Sequence, residues 1–253
     1  MSRSLQSSVS RGRVVVPAAR SNAGQEILVE RFFETLINGD RVASRNLIRE
    51  VSDQGTDAQT ILTGLCWPTY ELIEKLYRAD QMTKLSYHLA TRILRQVVDQ
   101  QARDLKFAPR NGRTVFACCG SSESEELAAQ IAVDILEAGG FTVTFAGGGL
   151  PADEILGQVH ERKPQTLLMF ASAASDLPGI RSMIDTLHEI GACPNMQFVV
   201  GGGVFNRAEG LAEEIGADLW ASDPLDLIDL MVEQAHQRAK APQQAAVRKR
   251  KVA

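Results

Sequence analysis

From residue 26 to about residue 104 the apolar positions recur every three or four residues, the spacing of helices that bury one face. Ile27, Leu28, Phe32, Leu36 and Ile37 form the first stripe, and Asn38-Gly39-Asp40 ends it. A second helix is predicted over Val42–Val51, stopping near Gly55. Asp57 is placed to cap a third over Ala58–Leu65, and Pro68 to kink or restart the chain before a fourth over Thr69–Ala79. Thr83 is placed to cap a long fifth, Lys84–Asp104, with Leu85, Leu89, Ile93, Val97 and Val98 on one stripe. Helices joined by such short links predict an all-α helical bundle over residues 25–107.

Ala108-Pro109-Arg110-Asn111-Gly112 reads as a linker, and beyond it the period changes. Short apolar runs at Thr114–Cys118, Thr142–Phe145, Thr166–Ala171, Gln197–Val200 and Leu219–Ala221 read as strands. Amphipathic segments follow them at Ser124–Ala138, Ala152–Glu161, Gly179–Ile190, Ala208–Ile215 and Pro224–Gln234. Five βα units predict a parallel, five-stranded α/β domain of the flavodoxin-like (Rossmann-like) type over residues 112–236. Ligands bind such sheets at the carboxyl ends of the strands. Here those ends are Gly120-Ser121-Ser122, Gly147-Gly148-Gly149, Ser172-Ala173-Ala174-Ser175, Gly201-Gly202-Gly203 and Ser222-Asp223. Such an edge admits close backbone approach and is poor in catalytic side chains. The Gly201-Gly202-Gly203-Val204-Phe205-Asn206 turn suits either a ligand laid against the backbone or simply a tight βα connection.

Composition changes this picture in one respect. The 253 residues carry a formal charge of −4, yet residues 1–20 hold four arginines and residues 237–253 six basic residues, with no acid in either segment. The folded body between them is therefore acidic, a poor match for duplex DNA, whose phosphates dominate affinity. The tail Arg248-Lys249-Arg250-Lys251 reads as a solvated, solubilising segment, with weak DNA contact through the basic ends as its alternative. Residues 1–24 read as a flexible basic segment and 237–253 as a basic tail. With no membrane-spanning run and no secretory pattern at the first residues, a cytoplasmic protein is expected. Cys66, Cys118, Cys119 and Cys193 lack zinc spacing and are expected to be reduced, mostly buried thiols.

Chemistry-bearing motifs are sparse. No GxGxxG follows the first strand and no Walker lysine is present. The acids of a phospho-receiver are missing from the first and third strand ends, and no nucleophile–base pairing is legible, so no enzymatic activity is expected. Of the four histidines, His188 and His236 read as surface residues and His160 falls at the far edge of its βα unit. His88 stands apart: Trp67, Tyr70, Tyr77 and Tyr87, four of the five Trp and Tyr residues, share its segment. An imidazole among aromatics suits either a flat metal-bearing ligand or an ordinary packed core, and the residues leave both open.

The two-domain layout resembles the cobalamin-binding module of methionine synthases, corrinoid proteins and the light-sensing CarH/LitR regulators. Gly140-Phe141-Thr142-Val143 is similar to the GF-x-V of the family's second strand, and Ser172-Ala173-Ala174 to its S-x-L. Gly201-Gly202 is similar to its GG, and Gly216-Ala217-Asp218-Leu219-Trp220-Ala221 to its GAD-x-Y-A. Tyr77 and Tyr87-His88 resemble the W-x9-E-H of the photoreceptors, in which the histidine reaches the upper face of the corrin. The D-x-H-x-x-G that supplies the lower cobalt ligand is replaced by Glu123-Ser124-Glu125-Glu126-Leu127-Ala128. A cobalamin module without that motif, with a helical cap and no DNA-binding domain, resembles the PpaA/AerR antirepressors of purple photosynthetic bacteria. The heme-holding SCHIC domain is close to them.

That resemblance implies a cobalamin cofactor, as adenosylcobalamin or hydroxocobalamin, and contact with a CrtJ/PpsR-type repressor of photosynthesis genes, with a possible response to light. The implied cofactor-binding residues are Trp67, Tyr77, Tyr87, His88, Gly120, Ser121, Ser122, Glu123, Glu125, Ser172, Ala173, Gly201, Gly202, Gly203, Val204 and Asn206, with His88, or else His160, on the metal. The alternatives are a corrinoid carrier of a methyltransferase system, a heme sensor with His88 as ligand, and a module that binds no tetrapyrrole.

Overall fold

The computed structural model describes residues 22–191 and 193–238. Five α-helices come first: α1 (Asn22–Ile37), α2 (Arg41–Asp53), α3 (Ala58–Ile61), α4 (Trp67–Arg78) and α5 (Lys84–Arg103). Side-chain caps fix the starts of α2, α3 and α5. Asp40 Oδ1 accepts from Val42 N and Ala43 N at 3.1 and 2.9 Å, Asp57 Oδ1 from Thr60 N at 2.8 Å, and Thr83 Oγ1 from Ser86 N at 3.1 Å. α1 begins at Asn22, inside the segment expected to be flexible; residues 1–21 and the basic end 239–253 lie outside the described residues.

The expected break at Pro68 takes another form. α3 runs into a π-helical turn, Leu62–Cys66, and then directly into α4, with Pro68 in the first turn of α4. Proline has no N–H to give the Gly64 carbonyl four residues back. Gln25 Nε2 of α1 bonds that carbonyl instead, at 2.9 Å. The wider π turn, a form common at functional sites, sets the start of α4 and its Trp67.

The rest of the chain is a five-stranded parallel sheet: β1 (Thr114–Cys119), β2 (Thr142–Gly148), β3 (Thr166–Phe170), β4 (Gln197–Gly201) and β5 (Leu219–Ala221), in the order β2-β1-β3-β4-β5. This is a doubly wound, Rossmann-like arrangement. The connecting helices are α6 (Glu123–Ala138), α7 (Ala152–Arg162), α8 (Leu177–Ile190), the short pair α9 (Gly203–Arg207) and α10 (Leu211–Glu214), and α11 (Pro224–Glu233). Of the helix expected over 208–215 only α10 forms, beginning after Gly210 at φ +78°, and α9 precedes that span. β2 runs further than expected, and its register slips by one residue against β1 between Ala117 and Cys119, where Gly147 adopts φ +76°.

Strand residues alternate between two cores, as the pleat requires. Phe116, Cys118, Leu167, Met169, Phe198 and Val200 pack with α7 and α8. Val115, Ala117, Leu168, Phe170 and Val199 pack with α6 and α11. α6 is buried on two sides. Its Ala129, Ala132, Val133 and Leu136 face the sheet, while Leu127, Ala128, Ile131, Ile135 and Ala138 join the core of Phe32, Leu36, Leu62, Leu94 and Val98 from the N-terminal helices. The 108–112 segment is not a loose tether, because Ala108 N bonds Ala138 O at 2.8 Å and Asn111 N bonds Gly140 O at 2.9 Å. Among the described residues no helix is long and apolar enough to cross a membrane.

Burial pushes the Cys66 and Cys118 thiols up to about 12, so both stay protonated and inert. Asp134 of α6 is 9% exposed, accepts from Gln130 Nε2 at 2.6 Å through Oδ1, and leaves Oδ2 without a partner. Burial raises its carboxyl from 3.8 to about 6. A raised carboxyl favours the folded state only while protonated. Its contribution is full below about pH 4 and is lost as pH rises through about 6. Asp134→Asn is expected to raise unfolding free energy at pH 7.5 by about 1–3 kcal/mol and to flatten the stability loss between pH 4 and 6. Urea melts across that range check this; an unchanged pH profile contradicts it.

Candidate functional site

The carboxyl ends of β3, β4 and β5 face α4 across a cleft. Residues 67, 70, 71, 74 and 78 of α4, one face at helical spacing, supply Trp67, Tyr70, Glu71, Glu74 and Arg78 to its wall. The opposing wall is Ser172, Gly202, Gly203, Asn206 and Arg207 at one end and Ser222, Asp223, Pro224 and Leu225 at the other. Two recesses open from it, of about 130 Å³ beside Arg78 and Arg207 and about 370 Å³ beside Asp223. Trp67 borders both, and also a narrow slot beneath them, lined by Ala128, Ala132, Phe170, Gly201, Ala221 and Leu227. The slot holds about 20 Å³, room for about one water molecule.

Glu125 sits at the inner end of this cleft. It is 5% exposed and closes a capping box with Ser122: Glu125 N donates to Ser122 Oγ at 3.2 Å and Ser122 N donates to Glu125 Oε2 at 3.4 Å, with Ser122 Oγ also donating to that oxygen at 2.8 Å. Its other oxygen reaches the neighbouring strand end and accepts from Ser172 N at 2.5 Å. The carboxylate thereby ties the start of α6 to the end of β3, and there is no room for a Cβ at Gly120 beside it. Asp176, in the turn before α8, faces this charge; burial first, then Glu125, raise its carboxyl.

The other polar groups have equally physical settings. The Tyr70 hydroxyl is pushed well above its usual value by burial, then by the Glu74 charge, with a Ser172 hydrogen bond acting the other way. Glu71 is raised by burial and by Asp223 across the cleft. The Trp67 indole N–H lies near the Glu71 carboxylate without a hydrogen bond of normal geometry. Tyr87 stacks on Tyr77 with ring centroids 3.9 Å apart and donates its hydroxyl to Glu74 Oε1 at 2.7 Å.

Of the expected site residues, Trp67, Glu125, Ser172, Gly201, Gly202, Gly203 and Asn206 meet at this cleft. Tyr77 and Tyr87 stand behind its α4 wall, joined to it through Glu74. Gly120 and Ser122 serve the Glu125 seat, Ser121 and Ala173 are exposed, and Glu123 opens α6. Val204 is 6% exposed and its side chain packs in the core with α7 and α8. His88 is exposed, with its ring edge-on to Tyr87 at 5.9 Å, and is absent from the linings of the cleft and slot, as are His160, His188 and His236. Among the described residues no three His, Cys, Asp or Glu side chains gather to hold a metal. Sequence reading missed Glu71, Glu74, Arg78 and Arg207; the first three were legible as polar residues on the Trp67–Tyr70 face of a helix.

Gly202 makes the tight βα connection that was one of the two readings of its turn. It adopts φ +105°, and a Cβ there would run into the backbone of Ala171. The glycine is required by the packing of the turn against β3 before any ligand arrives.

Residues 28–100 match the family described as B12 binding domain. Among solved structures the chain is similar to the monomethylamine corrinoid protein of Methanosarcina barkeri, at 15% identity and a TM-score of 0.74 over 83% of this chain and 99% of that one. It is also similar to a cobalamin-binding protein of Desulfitobacterium hafniense, at 17% identity and a TM-score of 0.45 over 81% and 97% of the two chains. A further match is the methanol:cobalamin methyltransferase complex MtaBC of Methanosarcina barkeri, at 15% identity and a TM-score of 0.46 over 89% of each chain. No curated relative matches. The first likeness establishes the fold.

Gly202→Ala is expected to cost about 2–4 kcal/mol of stability in the ligand-free protein. Gly157→Ala, mid-helix in α7 with open space for a Cβ, is expected to gain up to about 1 kcal/mol. Thermal melts of the two variants check this, and a Gly202→Ala protein as stable as wild type contradicts it.

Proposed function

We propose that the protein binds cobalamin in the cleft between α4 and the carboxyl edge of the sheet. The observation that carries this reading is the Trp67-roofed, glycine-floored cleft, which spans the helices matched to the B12 binding domain family and the strand ends of a fold shared with a corrinoid protein. The residues suit a corrin. Its mostly apolar face would lie against Trp67 and the Gly202–Gly203 backbone, and its amide edges would meet Asn206, Ser222 and the unpaired indole N–H. The slot beneath is too small for a benzimidazole, so entry of a lower base there would require Leu227, Phe170 and Ala132 to move apart. Cobalamin held there would supply a cobalt centre that exchanges ligands. The chain's own residues hold its edges, exclude water from one face and link the sheet to the helices.

Two roles are compatible with such binding, each with an observation behind it. The 0.74 TM-score likeness to a corrinoid protein supports a carrier that serves a methyltransferase system. The Glu125 seat supports a regulator. The position where the resemblance expects the lower histidine is taken by a carboxylate committed to Ser122 and Ser172, so the cobalt cycling of a carrier lacks its usual ligand. In the regulatory role the cleft transmits ligand state to a repressor of the CrtJ/PpsR type through the α4–sheet contact. Heme is the weaker ligand choice, because none of the histidines lines the cleft.

Protein mixed with adenosylcobalamin or hydroxocobalamin and then desalted is expected to retain corrinoid absorbance in about equimolar amount. Trp67→Ala is expected to lose at least about tenfold in affinity through lost aromatic contact. A colourless wild-type protein contradicts the reading. Methyl transfer from protein loaded instead with methylcobalamin to a thiolate acceptor, giving the methyl thioether and cob(I)alamin, selects the carrier role.

A further inference from the structure

Arg207 ends α9 and holds its guanidinium over the strand ends, donating through Nη2 to Ser172 O at 2.6 Å. Its Nη1 lies beside Gly203, where a Cβ would stand only 2.6 Å away. Across the 130 Å³ recess stands Arg78 of α4, 3.4 Å from Glu74 Oε2. The two guanidinium groups are close enough that Arg78 lowers the basicity of Arg207, after burial, which is the larger cause. The nearby Glu74 carboxylate is already divided between Arg78 and the Tyr87 hydroxyl. The other acid on this wall, Glu71, is influenced by Asp223 and Trp67 toward the larger recess. Among the described residues Arg207 has no carboxylate within ion-pair distance. Two guanidinium groups held at one small recess, one of them influenced by Glu74 but outside ion-pair distance of any carboxylate among the described residues, define a place for a tetrahedral oxyanion, which a pair of planar forks grips by charge-assisted hydrogen bonds.

We infer that Arg78 and Arg207 form an oxyanion subsite at the mouth of the cleft that takes a phosphate or phosphodiester group. If the cobalamin reading holds, on which this source rests, the group is the phosphodiester of the ligand's nucleotide loop. A free phosphate is the other source of the same chemistry. Arg207 then does two things with one guanidinium: it braces Ser172 through Nη2 and offers Nη1 to the anion.

The test compares hydroxocobalamin, cobinamide (the corrin without phosphodiester or base) and inorganic phosphate on the full chain. Arg207→Met and Arg78→Met are each expected to weaken hydroxocobalamin about 10- to 100-fold, with cobinamide affinity unchanged and Arg207→Lys partly restoring the loss. Circular dichroism matching wild type secures the fold of each variant. Equal weakening of hydroxocobalamin and cobinamide by Arg207→Met would make Arg207 a brace only and overturn the subsite, as would unchanged hydroxocobalamin affinity. If wild type retains no corrinoid, the cobalamin reading fails by itself and phosphate decides the subsite. Phosphate binding seen calorimetrically in wild type and lost in both Met variants supports it; no phosphate binding overturns it.

Discussion

Everything in this molecule hangs on the double burial of α6. A helix between a sheet and solvent needs one apolar stripe; α6 carries two, with Ala129, Ala132, Val133 and Leu136 against the sheet and Leu127, Ile131 and Ile135 against the N-terminal helices. Leu127, Ile131, Ile135 and Leu136 are at most 1% exposed. At about 1.5–3 kcal/mol for each fully buried aliphatic side chain, these contacts set the spacing of the two halves far more firmly than the exposed Arg95–Glu126 ion pair beside them. The cleft is what that fixed spacing leaves open between α4 and the strand ends.

The two ends of the cleft are then set by local chemistry. On the helical side, Pro68 withdraws a hydrogen bond, Gln25 replaces it, and the π turn places Trp67 at the opening. On the sheet side, Gly202 lets the β4–α9 turn lie against Ala171, and Glu125 locks the start of α6 onto Ser172. A cap residue that also bonds a neighbouring strand end is an unusually rigid anchor. It fixes the start of α6 at the inner end of the cleft.

Much of this was legible in the sequence. The 3.6-residue stripes, the Asp57 and Thr83 caps and the switch to βα alternation correspond to the observed helices and strands, because each depends on local propensity and burial pattern. The Gly201–Gly203 and Ser172 strand ends reach the cleft because a parallel α/β sheet leaves no other place for them. What the sequence hid depends on three-dimensional partners. The π turn needs Gln25, 39 residues from Gly64. Glu125 looked like a lost ligand and is a structural tie to a residue 47 positions away. His88 looked central because aromatics surround it in sequence, yet one helical step from Tyr87 turns it outward, away from the α4 contact. Arg207 carried no motif, and only the turn of α9 brings it across from Arg78.

In the proposed complex the ligand lies against Trp67 in this cleft. The chain has two tryptophans, and Trp220 stands apart on the edge strand β5, 36% exposed. In a Trp220→Phe protein, emission comes from Trp67 alone, and a corrin in contact with it would quench that emission. Titration with hydroxocobalamin is predicted to give saturable quenching of most of the emission at about one ligand per chain. Corrinoid retained on the protein with Trp67 emission unchanged would place the ligand elsewhere and contradict the account.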